Sequence, residues 1–576
     1  MRIPAAAALA TVRAVLSDPR RHTGVVVALV AFAASLALWG WRIQRGIDLT
    51  DESLYVALPI RFALGDRPFL DDRNSYQGAG ILTTPLVFVY RLVVGDSAGV
   101  VLFLRASFLL SLAAIGVAVA RASRGWIAPG SAIGCGALVC FYVPYYIPQF
   151  SYNTVGGGLT MLAAFEALRV ARSTTVTEAA RHATFCGLAA AGSGLAYPPL
   201  VVLFPIHLAT LLLLGRARIG ALGVAVRYVA GAAILGVYVS LFLLRSGLGS
   251  LKLTLQFIQA WGPTLTNTAK AVLANIDGLK SDWFTSMTLA LALTIIAMRI
   301  RPAVFLLALA VPFLAATNVA DVTHSIRFWT CCALVAPLFG LLVKDRRGAF
   351  LVLAFVWAPG MIAGFITGYS SGNGATACGL GGFTSMIAGC VLACRACEES
   401  LGSLRPVSAG ASVIAPLALL YVLSGRVLAP GSMYRDHPTS ELIARVRVGP
   451  FRGLLTTAAR RDFVELVHHD VVAQTASGGF VLCIPDMNYA YLSATARPAI
   501  PEIWLTNTPG RSAIDIDILR DRLPDITTVF VRSCAGTGDW SLCRPKILED
   551  GFHDAVNASF VEEFRRSDYA VLKRRR

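Results

Sequence analysis

The chain has 576 residues, of which 56% are hydrophobic and only 15% are charged, and its mean hydropathy is +0.64. This composition excludes an ordinary water-soluble protein and also a disordered chain, which needs low hydrophobicity and high charge. The formal net charge of +17 does not indicate a nucleic-acid partner, because the basic residues lie between apolar segments, as they do in membrane proteins.

Apolar segments long enough to cross a bilayer recur from residue 24 to residue 424. A bilayer core about 30 Å thick needs roughly 17 to 25 apolar residues per helix. We therefore predict a polytopic α-helical membrane protein with about 13 transmembrane helices, two of which could be one helix broken at residues 197–199. The predicted spans are 24–41, 98–120, 127–147, 154–170, 183–197, 199–215, 221–243, 284–298, 302–317, 330–343, 349–366, 380–394 and 408–424.

Arginine and lysine concentrate on the cytoplasmic side of membrane proteins, and the short loops show this asymmetry. The basic loops alternate as expected for a cytoplasmic N-terminus, and no cleavage site of a signal peptide is evident. Thirteen spans then place residues 425–576 outside, and the Ala- and Arg-rich composition suggests the cytoplasmic membrane of a high-GC bacterium. The basic residues of the predicted inner loops are Arg121, Arg124, Arg172, Arg181, Arg216, Arg218, Arg299, Arg301, Lys344, Arg346, Arg347, Arg395 and Arg405.

Three outer segments are too long to be simple connections, namely residues 42–97, residues 245–283 and the tail from residue 425. We predict a transmembrane domain over residues 1–424 and a soluble α/β domain over residues 425–576. In the first loop, apolar residues at helical spacing predict two amphipathic helices at the membrane surface. These residues are Leu54, Leu58 and Phe62, then Leu82, Leu86, Val89 and Val93.

The tail mixes both charge signs with short apolar runs, which is typical of a small α/β domain. Cys534 and Cys543 are its close cysteine pair, and an oxidising compartment would allow them to form a disulfide. The predicted helices cover residues 439–448, 461–472 and 555–566, and the predicted strands cover residues 479–484, 527–532 and 569–573.

Several groups of reactive residues have ordinary explanations. Cys394 and Cys397 form a CxxC at the inner end of a span, but two further zinc ligands are not apparent. His468, His469 and Asp470 follow one another on a predicted amphipathic helix, where a solvated face is a simpler explanation than a metal or catalytic site. The sequence shows no Walker loop and no GxGxxG after a strand, so a nucleotide-binding site is not expected.

Residues 46–55 (GIDLTDESLY) hold most of the chemistry, because three acids lie just outside the first span. Asp48, Asp51 and Glu52 fall within about two helical turns of the membrane surface. Two explanations stay open for them. Thr50 or Asp51 would cap a helix whose first turn is acidic, or the acids would form a site at the bilayer edge.

The second explanation rests on a resemblance. The sequence Asp51-Glu52-Ser53-Leu54-Tyr55 resembles the DE-x-x-Y or DE-x-x-F pattern after the first span of lipid A aminoarabinose transferases and protein O-mannosyltransferases, members of the glycosyltransferase-C superfamily. The number of spans, the two loop helices and the soluble tail are similar to the same plan. Two further likenesses are SYN at residues 151–153 and IPDMNYAYLSATARP at residues 484–498, which departs from the related phrase in its SATA turn.

This resemblance implies a catalytic Asp or Asp-Glu in the first outer loop and a polyprenyl-phosphate sugar as donor. Nucleotide sugars are not supplied outside the membrane, whereas a lipid phosphate is a leaving group that needs no proton. Asp51 is then the expected base, with Glu52 positioning it or the acceptor, Asp48 as a further acid, and Tyr55 as a substrate contact. The resemblance implies inversion at the sugar, and a divalent metal on the acids is possible, although adjacent acids alone make a thin site.

A phosphate leaving group calls for nearby cations, and several basic residues of the outer segments are candidates. Each has an alternative as a headgroup-binding or snorkelling cation. Residues 369–373 (YSSGN) form a further polar outer loop that could contact a sugar. The candidate cations are His324 and Arg327, which lie one helical turn apart, Arg61, Arg73, Lys252 and Lys280.

Other functions stay open on the sequence. A transporter or flippase of lipid-linked sugars would place ionisable groups inside the membrane, and the candidates for this are Glu166, His207 and Arg227. A polymerase or ligase of lipid-linked glycans would use the same donor. The expected partners are membrane lipids, a lipid-linked sugar donor and a glycan, lipid or protein acceptor.

Overall fold

The computed structural model describes residues 19–214, 220–261, 287–317, 325–370, 377–400, 413–429, 435–484, 487–503, 511–532 and 556–575. Most of the chain before the tail is α-helical. The helices are α1 (Pro19–Arg42), α2 (Asp51–Leu64), α3 (Gln77–Val94), α4 (Val100–Ser123), α5 (Pro129–Leu138), α6 (Tyr152–Arg172), α7 (Val176–Ala196), α8 (Leu203–Leu214), α9 (Gly220–Ser246), α10 (Gly249–Trp261), α11 (Met287–Arg299), α12 (Ala303–Thr317), α13 (Ser325–Leu342), α14 (Arg346–Ser370), α15 (Gly379–Ser400) and α16 (Ile414–Leu428).

The apolar segments of the sequence correspond to helices. Leaving aside α2, α3 and α10, a helix lies at each of the predicted spans. Six helices in the described ranges are long and apolar enough to cross a membrane. These are α1 from Thr23, α3, α4, α9, α14 and α15. The protein is thus a mostly helical, membrane-type chain, and thirteen crossings remain a prediction.

The break expected near residue 197 is present. The helix α7 ends at Ala196, a 3-10 turn covers Pro198–Val202, and α8 begins at Leu203. Proline lacks a backbone N–H and restricts the residue before it, so the pair Pro198 and Pro199 separates two helices here. A second irregularity is the π-helical turn Leu353–Trp357 inside α14.

The helix α15 occupies the centre of the bundle and is almost wholly buried. Glycine lets it approach α14 closely, because a Cβ atom at Gly381 would lie only 2.1 Å from the backbone nitrogen of Gly364. Small residues at helix crossings allow the backbone-to-backbone packing that stabilises membrane bundles. Large apolar side chains such as Leu222 and Leu244 on α9 are instead exposed at 79% and 77%, as expected for a surface that faces lipid.

Both helices predicted in the first outer loop are present, but the prediction of a surface position for α2 is wrong. Every residue of α2 from Glu52 to Phe62 is buried, because α2 and the tail share one apolar core that includes Leu58 and Tyr491. The helix α3 does present an exposed apolar face, with Val89 57% and Val93 81% exposed.

The tail forms a five-stranded mixed sheet with the strand order β4-β3-β5-β7-β6. The pairs β3–β4 and β3–β5 are parallel, whereas β5–β7 and β6–β7 are antiparallel. A separate antiparallel pair, β1–β2, precedes this sheet. The elements of the tail are β1 (Ala444–Arg445), β2 (Leu455–Thr456), α17 (Ala458–Thr475), β3 (Phe480–Ile484), β4 (Arg497–Pro498), α18 (Arg511–Arg522), β5 (Ile526–Arg532), β6 (Phe560–Arg565) and β7 (Tyr569–Arg574).

Two predicted elements of the tail are wrong. Residues 439–448 contain a 3-10 turn and the short strand β1 in place of a helix. The helix predicted at residues 555–566 is mostly the strand β6, because the segment turns at residues 566–568 and pairs with β7 as a hairpin. The other four predicted elements of the tail are confirmed as α17, β3, β5 and β7. Cys534 and Cys543 lie outside the described residues.

Candidate functional site

The loop between α1 and α2 is held by the carboxylate of Asp48. One oxygen accepts hydrogen bonds from the backbone N–H of Thr50 at 2.9 Å and from its hydroxyl at 2.6 Å. The other oxygen accepts from the backbone N–H of Glu52 at 2.9 Å. The first N–H groups of a helix lack internal partners, and Asp48 satisfies them at the start of α2. The helix cap therefore exists, but Asp48 provides it rather than Thr50 or Asp51.

Glu52 points away from solvent towards α4. Its carboxylate forms a two-pronged ion pair with Arg105, whose Nε and Nη2 atoms lie 2.6 and 2.5 Å from its oxygens. Arg105 also donates to the carbonyl oxygens of Ile43 at 2.7 Å and Gly46 at 2.9 Å. Both side chains are at most 3% exposed. This geometry suits the positioning of Asp51, one of the two roles that the sequence suggested for Glu52, better than the positioning of an acceptor.

Asp51 differs from its two neighbours because 13% of its side chain is exposed. Its Oδ2 atom lies 3.2 Å from Nη1 of Arg435, which also donates to the hydroxyl of Thr50. Arg435 has a positive φ of 52° and precedes Asp436, whose position in the tail is itself fixed. The carboxylate of Asp51 thus lies at the first turn of α2, beside a guanidinium group from the tail.

The tail is bound firmly to the loop that carries the acids. Asp436 accepts a hydrogen bond from the backbone N–H of Ile47 at 2.6 Å and pairs with Arg460 at 2.8 Å. Asn488, from the stretch IPDMNYAYL, donates to the carbonyl oxygen of Thr50 at 3.1 Å. The tail therefore forms one wall of the acidic site.

Four tyrosines form a cluster that begins one helical turn after Asp51. Tyr55 lies one turn after Asp51 on α2, and its ring meets that of Tyr152 edge-on at 5.8 Å. Tyr152 stacks on Tyr76 at 3.9 Å and contacts Tyr197 at 5.0 Å. We call Tyr55, Tyr76, Tyr152 and Tyr197 the tyrosine cluster.

The tyrosine cluster joins segments that the sequence analysis noted separately. Tyr55 belongs to the DESLY motif, Tyr152 to the SYN motif, and Tyr197 to the break between α7 and α8. The hydroxyl groups of Tyr197 and Ser370 lie 2.8 Å apart, which brings the start of the YSSGN loop to the same place. Residues 371–376 of that loop lie outside the described residues.

Arg61 does not face Asp51. Its guanidinium group binds both carboxylate oxygens of Asp66, at 2.8 and 3.1 Å, and the carbonyl oxygen of Ala494 at 2.8 Å. It is only 2% exposed. These contacts join α2 to the tail, so we assign Arg61 a structural role in place of the phosphate-binding role that the sequence suggested.

The remaining candidate cations are dispersed. Arg73 is half-buried, and its backbone N–H binds the carbonyl oxygen of Pro501 at 2.8 Å. Lys252 is exposed on α10. His324 and Lys280 lie outside the described residues, as does the side chain of Arg327.

His468 and Asp470 contact other parts of the tail, whereas His469 is exposed. Nδ1 of His468 lies 2.8 Å from the hydroxyl of Ser493, and burial lowers the pKa of this imidazole. Asp470 pairs with Arg566 at 3.0 Å and accepts a hydrogen bond from Tyr569 at 2.5 Å. These residues are separate from Asp51.

Metal ligands are sparse around the acids. Asp48 and Glu52 direct their oxygens to backbone N–H groups and to Arg105, and Asp51 faces Arg435, so these three acids do not fit a divalent cation site. Among the described residues, three thiols of the bundle lie within 4.8 Å of one another, those of Cys135, Cys390 and Cys394. Cys397, the other cysteine of the CxxC, does not belong to this group.

The intramembrane residues considered for a transporter have different environments. Glu166 pairs with His182 at 2.5 Å and with Arg169 at 2.9 Å, which joins α6 to α7. His207 is fully buried on α8, and Arg227 is exposed on α9. These three groups do not form one cluster.

Sequence reasoning missed Arg105, Arg435 and Arg460. An arginine inside an apolar segment was a usable signal for Arg105, because a charge there needs a buried partner. No periodic pattern connects Arg435 or Arg460 to a loop that lies 385 or 413 residues earlier in the sequence, since these contacts depend on the position of the tail.

Comparisons with known proteins find distant likenesses to solved structures. No family model and no curated protein matches the sequence. The oligosaccharyltransferase of Archaeoglobus fulgidus, crystallised with a tethered acceptor peptide, has 12% identity and a TM-score of 0.48 over 88% of this chain and 69% of that chain. Apo ArnT from Cupriavidus metallidurans has 13% identity and a TM-score of 0.44 over 96% of this chain and 98% of that chain.

A second structure of ArnT, bound to undecaprenyl phosphate, has 12% identity and a TM-score of 0.39 over 96% of this chain and 97% of that chain. Both kinds of protein are glycosyltransferases of the superfamily that the sequence resembles. At this identity the likeness assigns no role to individual residues of this chain.

Proposed function

We propose that the protein is an integral membrane glycosyltransferase that transfers a sugar from a polyprenyl-phosphate donor to an acceptor on the outer face of the cytoplasmic membrane. The observation that carries this proposal is the division of roles among the three acids. Asp48 caps α2 and Glu52 is neutralised by Arg105, whereas 13% of the Asp51 side chain remains exposed. A carboxylate that reaches solvent is the one that can reach a substrate hydroxyl group.

In the proposed reaction, the acceptor hydroxyl oxygen attacks the anomeric carbon of the donor sugar. The bond between this carbon and the phosphate oxygen breaks, and Asp51 takes the hydroxyl proton. The lipid phosphate leaves as an anion, so the second, proton-donating carboxyl group of glycoside hydrolases is not needed. Attack opposite the phosphate inverts the anomeric centre.

Arg435 is suited to bind the leaving phosphate. Its guanidinium group lies 3.2 Å from Asp51 and is 30% exposed, and arginine matches the geometry of phosphate oxygens. If Arg435 binds both Asp51 and the donor phosphate, it holds the base and the leaving group close together. Movement of its guanidinium group onto the phosphate would then release Asp51 to accept the proton.

The tyrosine cluster would bind the sugar. Aromatic rings offer flat apolar surfaces with polar hydroxyl edges, which suits a ring that has both CH faces and hydroxyl groups. Tyr55 connects this surface to Asp51 by one helical turn. We assign the donor sugar to this surface and leave the class of acceptor open among glycans, lipids and proteins.

The test uses the purified full-length protein with labelled sugars on polyprenyl phosphate. We compare the wild type with Asp51→Asn and with Asp462→Asn, a matched change at an exposed acid of the tail that pairs with Arg461. We expect Asp51→Asn to lower transfer by about 10²- to 10⁴-fold and the control to keep full activity. Full sugar transfer by Asp51→Asn would reject the assignment of Asp51 as the base. Movement of the donor across a vesicle membrane without sugar transfer would indicate a flippase.

A further inference from the structure

A second cavity lies at the outer end of α4 and has a volume of about 480 Å³. One wall includes Leu64 of α2, Arg91 of α3 and the turn at residues 95–98. The other wall belongs to the tail and includes residues 447–450, Arg452, His468, Val472 and residues 492–495. It shares no lining residue with the small cavity beside Asp48 and Glu52. The two cavities are therefore separate sites.

Arginine dominates the charge of this second cavity. Arg91, Arg447 and Arg452 line it, together with a single acid, Asp96. The Asp96 carboxylate accepts a hydrogen bond from a backbone N–H of its own turn at 2.8 Å. Within the described part of the chain, neither Arg447 nor Arg452 forms an ion pair with an acid. The arginines and the acid that line the cavity thus carry a net positive charge of about two. Outside the lining, the carboxylate of Glu465 accepts a hydrogen bond from the backbone N–H of Arg447 at 2.7 Å.

The cavity opens beside an apolar surface. Leu92 and Val93, in the turn of α3 next to Arg91, are 70% and 81% exposed. On a helix that is apolar enough to lie in a membrane, such side chains face lipid tails. A positively charged cavity next to a lipid-facing surface matches an amphiphile with an anionic head and apolar tails.

We propose that this cavity binds the phosphate headgroup of an anionic membrane lipid, with the acyl chains lying along α3. The guanidinium groups of Arg447 and Arg452 bind the phosphate oxygens, since arginine forms strong paired hydrogen bonds with phosphate. Because Arg447 and Arg452 belong to the tail and Arg91 belongs to α3, the lipid joins the tail to the membrane. This site does not depend on Asp51.

The test measures retention of lipid by the full-length protein in neutral detergent, by mass spectrometry of the intact complex. The lipids are phosphatidylglycerol and phosphatidylcholine, and inorganic phosphate is added in a separate arm. The variant is Arg447→Gln with Arg452→Gln. The control is Arg461→Gln with Arg565→Gln, which removes the same charge from two arginine–acid pairs of the tail outside the cavity.

We expect the wild type and the control to retain phosphatidylglycerol in preference to phosphatidylcholine, and the cavity variant to bind it about tenfold or more weakly, since charge-assisted hydrogen bonds are lost. Equal retention of phosphatidylglycerol by the cavity variant and the control would overturn the proposal. Retention of inorganic phosphate equal to that of the lipid would also overturn it. If the double variant does not fold, Arg447→Gln and the loss of retention with rising salt in the wild type provide the same test. The variant Asp51→Asn should still bind the lipid, which separates this proposal from that of the transfer reaction.

Discussion

Arg105 of α4 and Glu52 of α2 form a buried ion pair in which Nη2 lies 2.5 Å from Oε2, and both side chains are at most 3% exposed. The same guanidinium group binds carbonyl oxygens of the preceding loop, including that of Gly46 at 2.9 Å. One arginine thus fixes both ends of the segment that carries Asp51.

The first prediction concerns this pair. Arg105→Leu should lower the free energy of unfolding by about 3–5 kcal/mol, because it leaves the Glu52 carboxylate buried without a cation. Thermal unfolding in detergent measures the loss. The double change Arg105→Leu with Glu52→Leu should be less harmful than the single change, since no buried charge remains. A double variant that is even less stable would show that the carbonyl contacts of Arg105, rather than its charge pairing, hold the loop.

The second prediction separates Asp48 from Asp51. Asp48→Ala removes the cap of α2 and should cost about 0.5–2 kcal/mol of stability, but the folded fraction should keep its rate of transfer. Asp51→Asn should do the opposite, with little change in unfolding temperature and a large loss of rate. Rates of transfer corrected for the folded fraction distinguish the two residues. A loss of rate confined to Asp48→Ala would show that Asp48, rather than Asp51, is the base.

The third prediction concerns the tyrosine cluster. Tyr152→Leu removes a ring that contacts three others and should raise the KM for the donor by about two- to tenfold, from the range of aromatic pair energies. The kcat should change less, because the ring is not assigned to the proton transfer. Tyr152→Phe keeps the ring and serves as the control. An unchanged KM for the donor in folded Tyr152→Leu protein would show that the tyrosine cluster does not bind the donor sugar.

The fourth prediction follows from His468, whose pKa is held below its ordinary value by burial. A lowered pKa means that the folded protein favours the neutral imidazole. The resulting stability is fully present above the unfolded pKa of about 6.5 and is lost as the pH falls through the lower folded pKa. His468→Gln should therefore flatten the pH dependence of the unfolding temperature below about pH 6.5. Because the ring is half-buried, the effect should be small, and identical pH profiles for the two proteins would reject it.

Hydropathy predicted the helical part of the fold well, because the length of an apolar segment is a local property of the sequence. Local sequence patterns gave wrong predictions where contacts with a distant segment determine the conformation or the burial of an element. The segment around Val561 falls in a predicted helix, yet it pairs with β7 as a strand. The spacing of Leu58 and Phe62 indicated an amphipathic surface helix, and burial under the tail made α2 a core helix.

The position of the candidate site was predictable, whereas its internal arrangement was not. The acids were found because they follow the first span directly. The distinction between Asp51 and Glu52 depends on Arg105 and Arg435, which approach from different parts of the chain. Spacing alone cannot show which of two adjacent carboxylates is neutralised, since this depends on tertiary contacts.

The hydrogen bond between Ile47 and Asp436 spans 389 residues of sequence, so it forms only late in the synthesis of the chain. At a synthesis rate of 5–20 residues per second, the loop that carries Asp51 waits roughly 20 to 80 s before the ribosome makes the residues that hold it. Throughout this interval the nascent protein lacks Arg435 and one wall of its site. A chain that ended before residue 435 would therefore lack the guanidinium group that lies beside Asp51.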